Sequence, residues 1–176
     1  MKKLGMFFLI VFVFLGCSKK EEKLETTNQG TVIFILGKVE FSKDGEKWEK
    51  TILNQKIEEG DWIKTQEKSQ AKIQLWNSST LLIQANTTTK IETLNSQQQF
   101  LLHLEKGSVR CLVEKIIQEK GFYEVKGLAM AAGVRGTEFD FANDGVKETL
   151  SVHKGRVAVK RNIQGSPEKL VEAGQE

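Results

Sequence analysis

The sequence predicts an all-β domain of many short strands, arranged as a sandwich, barrel or solenoid. Three observations point there. From Thr31 onward the apolar residues recur with a period of two rather than 3.6. Ala71-Lys72-Ile73-Gln74-Leu75 shows it most plainly, with apolar and polar side chains on opposite faces. Turn-forming clusters then break the chain at short intervals: Lys43-Asp44-Gly45, Glu59-Gly60-Asp61, Asn77-Ser78, Lys106-Gly107, Asn143-Asp144-Gly145 and Lys154-Gly155. A single proline, Pro167, leaves the strands between these turns uninterrupted.

The chain opens with a different kind of segment. Met1-Lys2-Lys3 is a short basic start, and Leu4 to Leu15 is an apolar run. That run has the length of a signal-peptide core and falls short of the roughly 20 residues a membrane-spanning helix needs. It ends in Phe14-Leu15-Gly16-Cys17, which resembles a lipobox, with Phe14 where Leu is usual and Leu15 where a small residue is usual. Residues 1–16 are therefore expected to be a lipoprotein signal peptide, and Cys17 the site of lipid attachment. Residues 17–29 are charged and polar and bury too little apolar surface to offset the entropy of ordering them, so a flexible tether is expected. These features place the protein in the cell envelope, lipid-anchored and periplasmic or surface-exposed. Ser18, in place of the Asp that retains lipoproteins at the inner membrane, points to the outer one.

The strands follow in order within a domain of residues 30–176. They are expected at Thr31 to Leu36, Val39 to Ser42, Trp62 to Thr65, Ala71 to Trp76, Thr80 to Gln84, and Lys90 to Leu94. Further strands are expected at Phe100 to Leu104, Val109 to Val113, Phe122 to Val125, Glu138 to Phe141, Glu148 to His153 and Arg156 to Arg161. Val113 to Lys120 could form a helical turn or two. A loose repetition runs through the pattern: Ile57 to Ile63, Leu104 to Val109 and Val152 to Val157 each place a glycine turn between two alternating segments.

Composition excludes several functions. The net charge of +3 loses two units with Lys2 and Lys3, and basic residues are interleaved with acidic ones, so nucleic acid is not an expected partner. There are two cysteines; with Cys17 lipidated, Cys111 has no disulfide partner and reads as a small buried hydrophobe beside Val109 and Val113. His103 and His153 stand alone, without metal-ligand spacing, and no nucleophile elbow, phosphate loop or dinucleotide fingerprint occurs. No enzyme activity, metal, or small-molecule cofactor is expected.

Several segments taken together resemble the FecR protein domain: Gly60-Asp61-Trp62-Ile63-Lys64-Thr65, Ala71 to Leu75, and Leu104-Glu105-Lys106-Gly107-Ser108-Val109. The most specific is Val134-Arg135-Gly136-Thr137-Glu138-Phe139, which is similar to that domain's Val-Arg-Gly-Thr-Glu-Phe signature. Val152 to Val159 and Leu170 to Glu176 continue the likeness. The resemblance implies a twisted, solenoid- or sandwich-like β module and a part in envelope signalling. The family's best-known members carry a cytoplasmic sigma-binding segment and a membrane helix ahead of this module. Neither is read here, so relay by that route is not expected. The family's Asp-Gly-Ser turn is Asn77-Ser78-Ser79 in this chain, where Asn tolerates a left-handed backbone.

The signature also has a physical reading. Gly133 and Gly136 flank Val134-Arg135 and permit a tight path, Arg135 and Glu138 are near enough to pair across the bend, and Phe139 and Phe141 share an inward face. It fixes a chain corner or contacts a partner. Trp48, in a highly charged stretch, either anchors an interface or covers an end of the domain. The function expected is a membrane-anchored, non-catalytic protein-interaction, signalling or scaffolding module that engages another envelope protein. The alternative is a lipoprotein that binds cell-wall or cell-surface glycan.

Overall fold

The computed structural model describes residues 28–175. The expected signal peptide, Cys17 and all but the last two residues of the tether lie outside them. Fifteen strands form: β1 (Gly30–Leu36), β2 (Val39–Ser42), β3 (Glu49–Lys50), β4 (Lys56–Ile57), β5 (Trp62–Thr65), β6 (Gln70–Gln74), β7 (Thr80–Ile83) and β8 (Thr88–Asn95) precede β9 (Gln99–Leu112). After it come β10 (Phe122–Lys126), β11 (Met130–Val134), β12 (Glu138–Asn143), β13 (Glu148–Lys154), β14 (Arg156–Arg161) and β15 (Lys169–Glu172). Among the described residues no helix is long and apolar enough to cross a membrane. The all-β reading holds.

The strands make two layers that share β9. The first layer runs β4-β1-β6-β7-β9-β12-β13, and the second runs β3-β2-β5-β8-β9-β10-β11-β14-β15. Residues 99–106 of β9 pair with β8, and residues 107–112 pair with β12. The pairs are antiparallel, except that β10 lies parallel to β9, with Tyr123 opposite Phe100. The sheet stays open, so the architecture is a sandwich-like coil rather than a barrel.

Each repeated glycine turn marks a passage between layers. Gly60 lies between β4 and β5, Gly107 within β9, and Gly155 between β13 and β14, all at positive φ (92°, 104° and 85°). Lys106-Gly107 is therefore not a turn between two strands. Phe100–Leu104 and residues 109–112 belong to one long strand, bent where it changes layer, and Val113 lies just past its end. The buried positions shift phase across that bend, from Phe100, Leu102 and Leu104 to Val109 and Cys111. A straight strand would have turned one half outward.

Three other expectations change. Val113 to Lys120 forms no helix: Val113 pairs its N–H and C=O with Thr137, and Ile116 packs into the core. The strand expected over Ala71 to Trp76 stops at Gln74, because Trp76–Ser78 makes a 3-10 turn; Ser78 there takes the positive φ (60°). β3, β4, β11 and β15 were not foreseen. The first two hold two residues each, and β11 is Met-Ala-Ala-Gly-Val, too small-sided to show alternation.

The core lies between the layers. Trp76, Phe100, Tyr123 and Phe139 form a row of rings with successive centroids 5.9, 4.6 and 6.5 Å apart, the last step crossing from the second layer to the first. Phe139 and Phe141 both point inward and are fully buried, as alternation requires. Each such ring contributes about 2–3 kcal/mol by leaving water.

Candidate functional site

The signature residues sit where the second layer hands the chain back to the first. Val134 ends β11, buried between Tyr123 of β10 and Val157 of β14. Gly136 takes φ +85°, and the chain then swings to Thr137. Thr137 is buried, exchanges backbone bonds with Val113 (3.0 and 2.9 Å), and donates its hydroxyl to the carbonyl of Arg156 at 3.1 Å. The second passage lies against the first: a side chain on Gly155 would meet the Gly136 carbonyl at 3.0 Å. Phe139 then enters the core opposite Cys111 of β9.

Arg135 does something else. It is exposed, and its guanidinium donates one long bond to the Gly121 carbonyl at 3.5 Å. It makes no ion pair with Glu138, contrary to the expectation from their spacing, because the corner carries Glu138 onto the first layer, opposite Leu112 and Lys154. Gly133 needs no close approach either, since a side chain there would find only the Ala158 carbonyl, at 3.9 Å. What the small pair Gly133 and Ala158 leaves is a shallow trough of about 330 Å³ on the outer face. Arg135, Arg156, Phe122 and Leu170 are among its walls. Two guanidiniums outnumber the single carboxylate of Glu124 in this lining, and with Phe122 and Leu170 beside them they suit a carboxylate on an apolar backbone.

Other chemistry is already spent. Asp140 accepts two bonds from Arg110, at 2.7 and 2.8 Å, and lies 2.9 Å from His153 Nε2. Burial alone would raise its carboxyl, but the bonds from Arg110 and His153 outweigh it and hold the group below the usual range. This clamp across β9, β12 and β13 was invisible in the sequence, since register alone brings the three together. His103 faces Glu92 at 3.9 Å. Cys111 and Tyr123 face each other in the core. Burial pushes the thiol up to about 12 despite its contact with the phenol, and raises the phenol well above its ordinary value. No cluster of three metal-ligating side chains occurs among the described residues. Trp48 is half-buried, with the Lys64 ammonium 5.3 Å from its ring centroid.

The family model described as FecR protein matches residues 61–158, from the start of β5 into β14. No curated protein matches the chain. Two crystal structures of a candidate anti-sigma factor from Parabacteroides distasonis share the fold, each with a TM-score of 0.54 and 17% identity over 64% of this chain. The chain spans 51% of the length of that protein, about half.

Proposed function

The chain belongs to the FecR protein family, and from that premise we propose that it is a regulatory module of the cell envelope that acts by contact with another protein, without chemistry of its own. The family match carries this reading. It takes in the shared strand β9 and both passages at the signature corner. The Parabacteroides protein adds its fold, and its description as an anti-sigma factor suggests signalling as the setting. The spent state of Asp140 and the sealed thiol of Cys111 agree with a non-catalytic role. Anchoring by a lipid on Cys17 rests on the lipobox-like sequence, and the outer membrane as its place rests on Ser18.

The contact surface proposed is the trough at Arg135. Val134, Thr137 and Phe139 are buried in the corner, and Glu138 is half-buried. Arg135 alone of the signature sends its side chain into solvent, beside Arg156. The test is crosslinking of the tagged, lipidated protein in intact cells, followed by mass spectrometry. One saturable envelope protein should be captured, and Arg135→Glu should abolish the capture while the melting temperature holds. Glycan fragments with no specific protein would overturn the interaction reading. Full capture by Arg135→Glu would remove the trough from it.

A further inference from the structure

β1 uses only one of its two edges along its whole length. On one side β6 pairs with it from Thr31 to Leu36. On the other, cover stops early: Gly30 and Thr31 pair with β4, Val32 donates to the Gln55 carbonyl at 3.0 Å, and Asn54 donates to the Val32 carbonyl at 2.8 Å. Beyond that point no described strand lies beside Ile33 to Leu36. A bulge between Val32 and Phe34 coincides with the end of the cover.

Bare edges are normally blunted by charges or proline. This one reads Ile33-Phe34-Ile35-Leu36, and three of its four side chains are exposed at 38%, 44% and 50%. Ile52 and Leu53, in the loop that approaches β4, add two more, exposed at 63% and 56%. Beside the edge a cleft of about 310 Å³ opens toward β2 and β3, walled by Ile35, Val39 and Thr51 together with the charged residues Lys38, Glu40 and Lys50. Thr51 is buried, and its hydroxyl has no hydrogen-bond partner among the described residues. Charge around the edge is unbalanced. Among the described residues Lys50, Lys56 and Lys72 have no carboxylate partner, Lys56 donating instead to the Thr31 hydroxyl at 2.9 Å, whereas Glu40 is already paired with Lys38 at 3.1 Å.

We propose that this edge is a strand-addition site, which takes an extended apolar segment of a partner protein with acidic residues at its flanks. The segment continues the ladder that β4 begins, and sends one apolar side chain into the cleft between Ile35 and Val39. Strand addition of this kind draws affinity from main-chain bonds and specificity from alternate side chains. Lysines without a carboxylate partner among the described residues select acidic flanks. Area argues against a second folded copy. Five part-exposed side chains offer a patch of a few hundred Å², against roughly 800 Å² per partner in a stable interface. The site lies outside the family match, so it goes beyond the regulatory reading and is separable from the trough at Arg135.

The test is amide hydrogen exchange of the full chain. The probe is a synthetic octapeptide with four alternating valines and isoleucines between two acidic residues at each end. Saturating peptide should slow exchange within residues 33–36 at least tenfold and leave β15 unchanged. Phe34→Asp should weaken binding at least tenfold at an unaltered melting temperature, and so should exchanging the peptide's acidic flanks for lysines. Capture of the envelope partner through Arg135 should persist in Phe34→Asp, which keeps the two surfaces apart. Three results would each overturn the proposal: no protection at about 1 mM peptide; equal binding of the lysine-flanked peptide; or protection that rises with protein concentration alone, which would assign the edge to a second copy.

Discussion

Gly107 bears two constraints at once. Its φ of 104° disfavours any side chain, and a Cβ there would lie 2.5 Å from the backbone of Thr87. Gly107→Ala should cost about 3 kcal/mol or more in urea unfolding. Gly133→Ala, with its nearest atom 3.9 Å away, should change stability by only about 0.5 kcal/mol. The signature divides in the same way. Thr137→Val removes the bond to Arg156 and should cost about 1 kcal/mol, whereas Arg135→Ala should leave the melting temperature unchanged. A large loss on Arg135→Ala would make that residue part of the corner. Acid sensitivity follows from five carboxylates lowered on folding, Glu40 and Glu58 besides three aspartates. The backbone N–H groups of Lys47 and Glu46, with the Ser42 hydroxyl, hold Asp44 down to about 2. Those of Lys147 and Val146 lower Asp144, and Arg110 and His153 lower Asp140. An aspartate lowered on folding stabilises fully above its unfolded value of 3.8, and loses that contribution as pH falls through its folded one. The melting temperature should be flat above about pH 5 and fall between about pH 4 and 2. Asp140→Asn should shallow that fall.

Among the elements, β9 is the one on which both layers depend. Its two halves pair with four different strands, and Phe100, Leu102, Leu104, Val109 and Cys111 are fully buried along it. Amides at these positions should be the last to exchange, opening only with global unfolding. Those of β3 and β15, the outermost strands of the second layer, should exchange first. Exchange of β9 at the rate of those edges would show that the layers open independently. The strand also explains a misreading. Its buried positions change phase at Gly107, which in a sequence looks like two strands and a turn. β1 poses the reverse case: its apolar run announced a strand, but nothing local announced that one edge would stay bare.

At the scale of the whole molecule, the chain passes repeatedly between two layers. The passages, rather than the strands, hold its most specific sequence. Gly136 and Gly155 bring two of them into contact, so the signature corner locks β11–β12 against β13–β14. Arg135 leaves that corner for solvent, at the opposite half of the chain from the bare edge of β1. The two proposed surfaces would let the module hold a partner at each. Its anchoring is a separate question with a direct check. Cys17→Ala should appear in the soluble periplasmic or external fraction, and detergent-dependent membrane association of that variant would refute the lipid anchor.

The sequence by itself determined the all-β class, the inward positions of Phe139, Phe141 and Cys111, and the places where glycine permits the chain to turn. These are local properties, because alternation and backbone freedom are set by neighbouring residues. Only the tertiary structure decided which layer each strand joins, and that β10 runs parallel to β9. It alone joined Asp140 to Arg110, thirty residues away, and turned Arg135 from Glu138 toward solvent. Register and layer are settled by pairings between distant segments. A period of two records which face a side chain takes, but not the strand it will face.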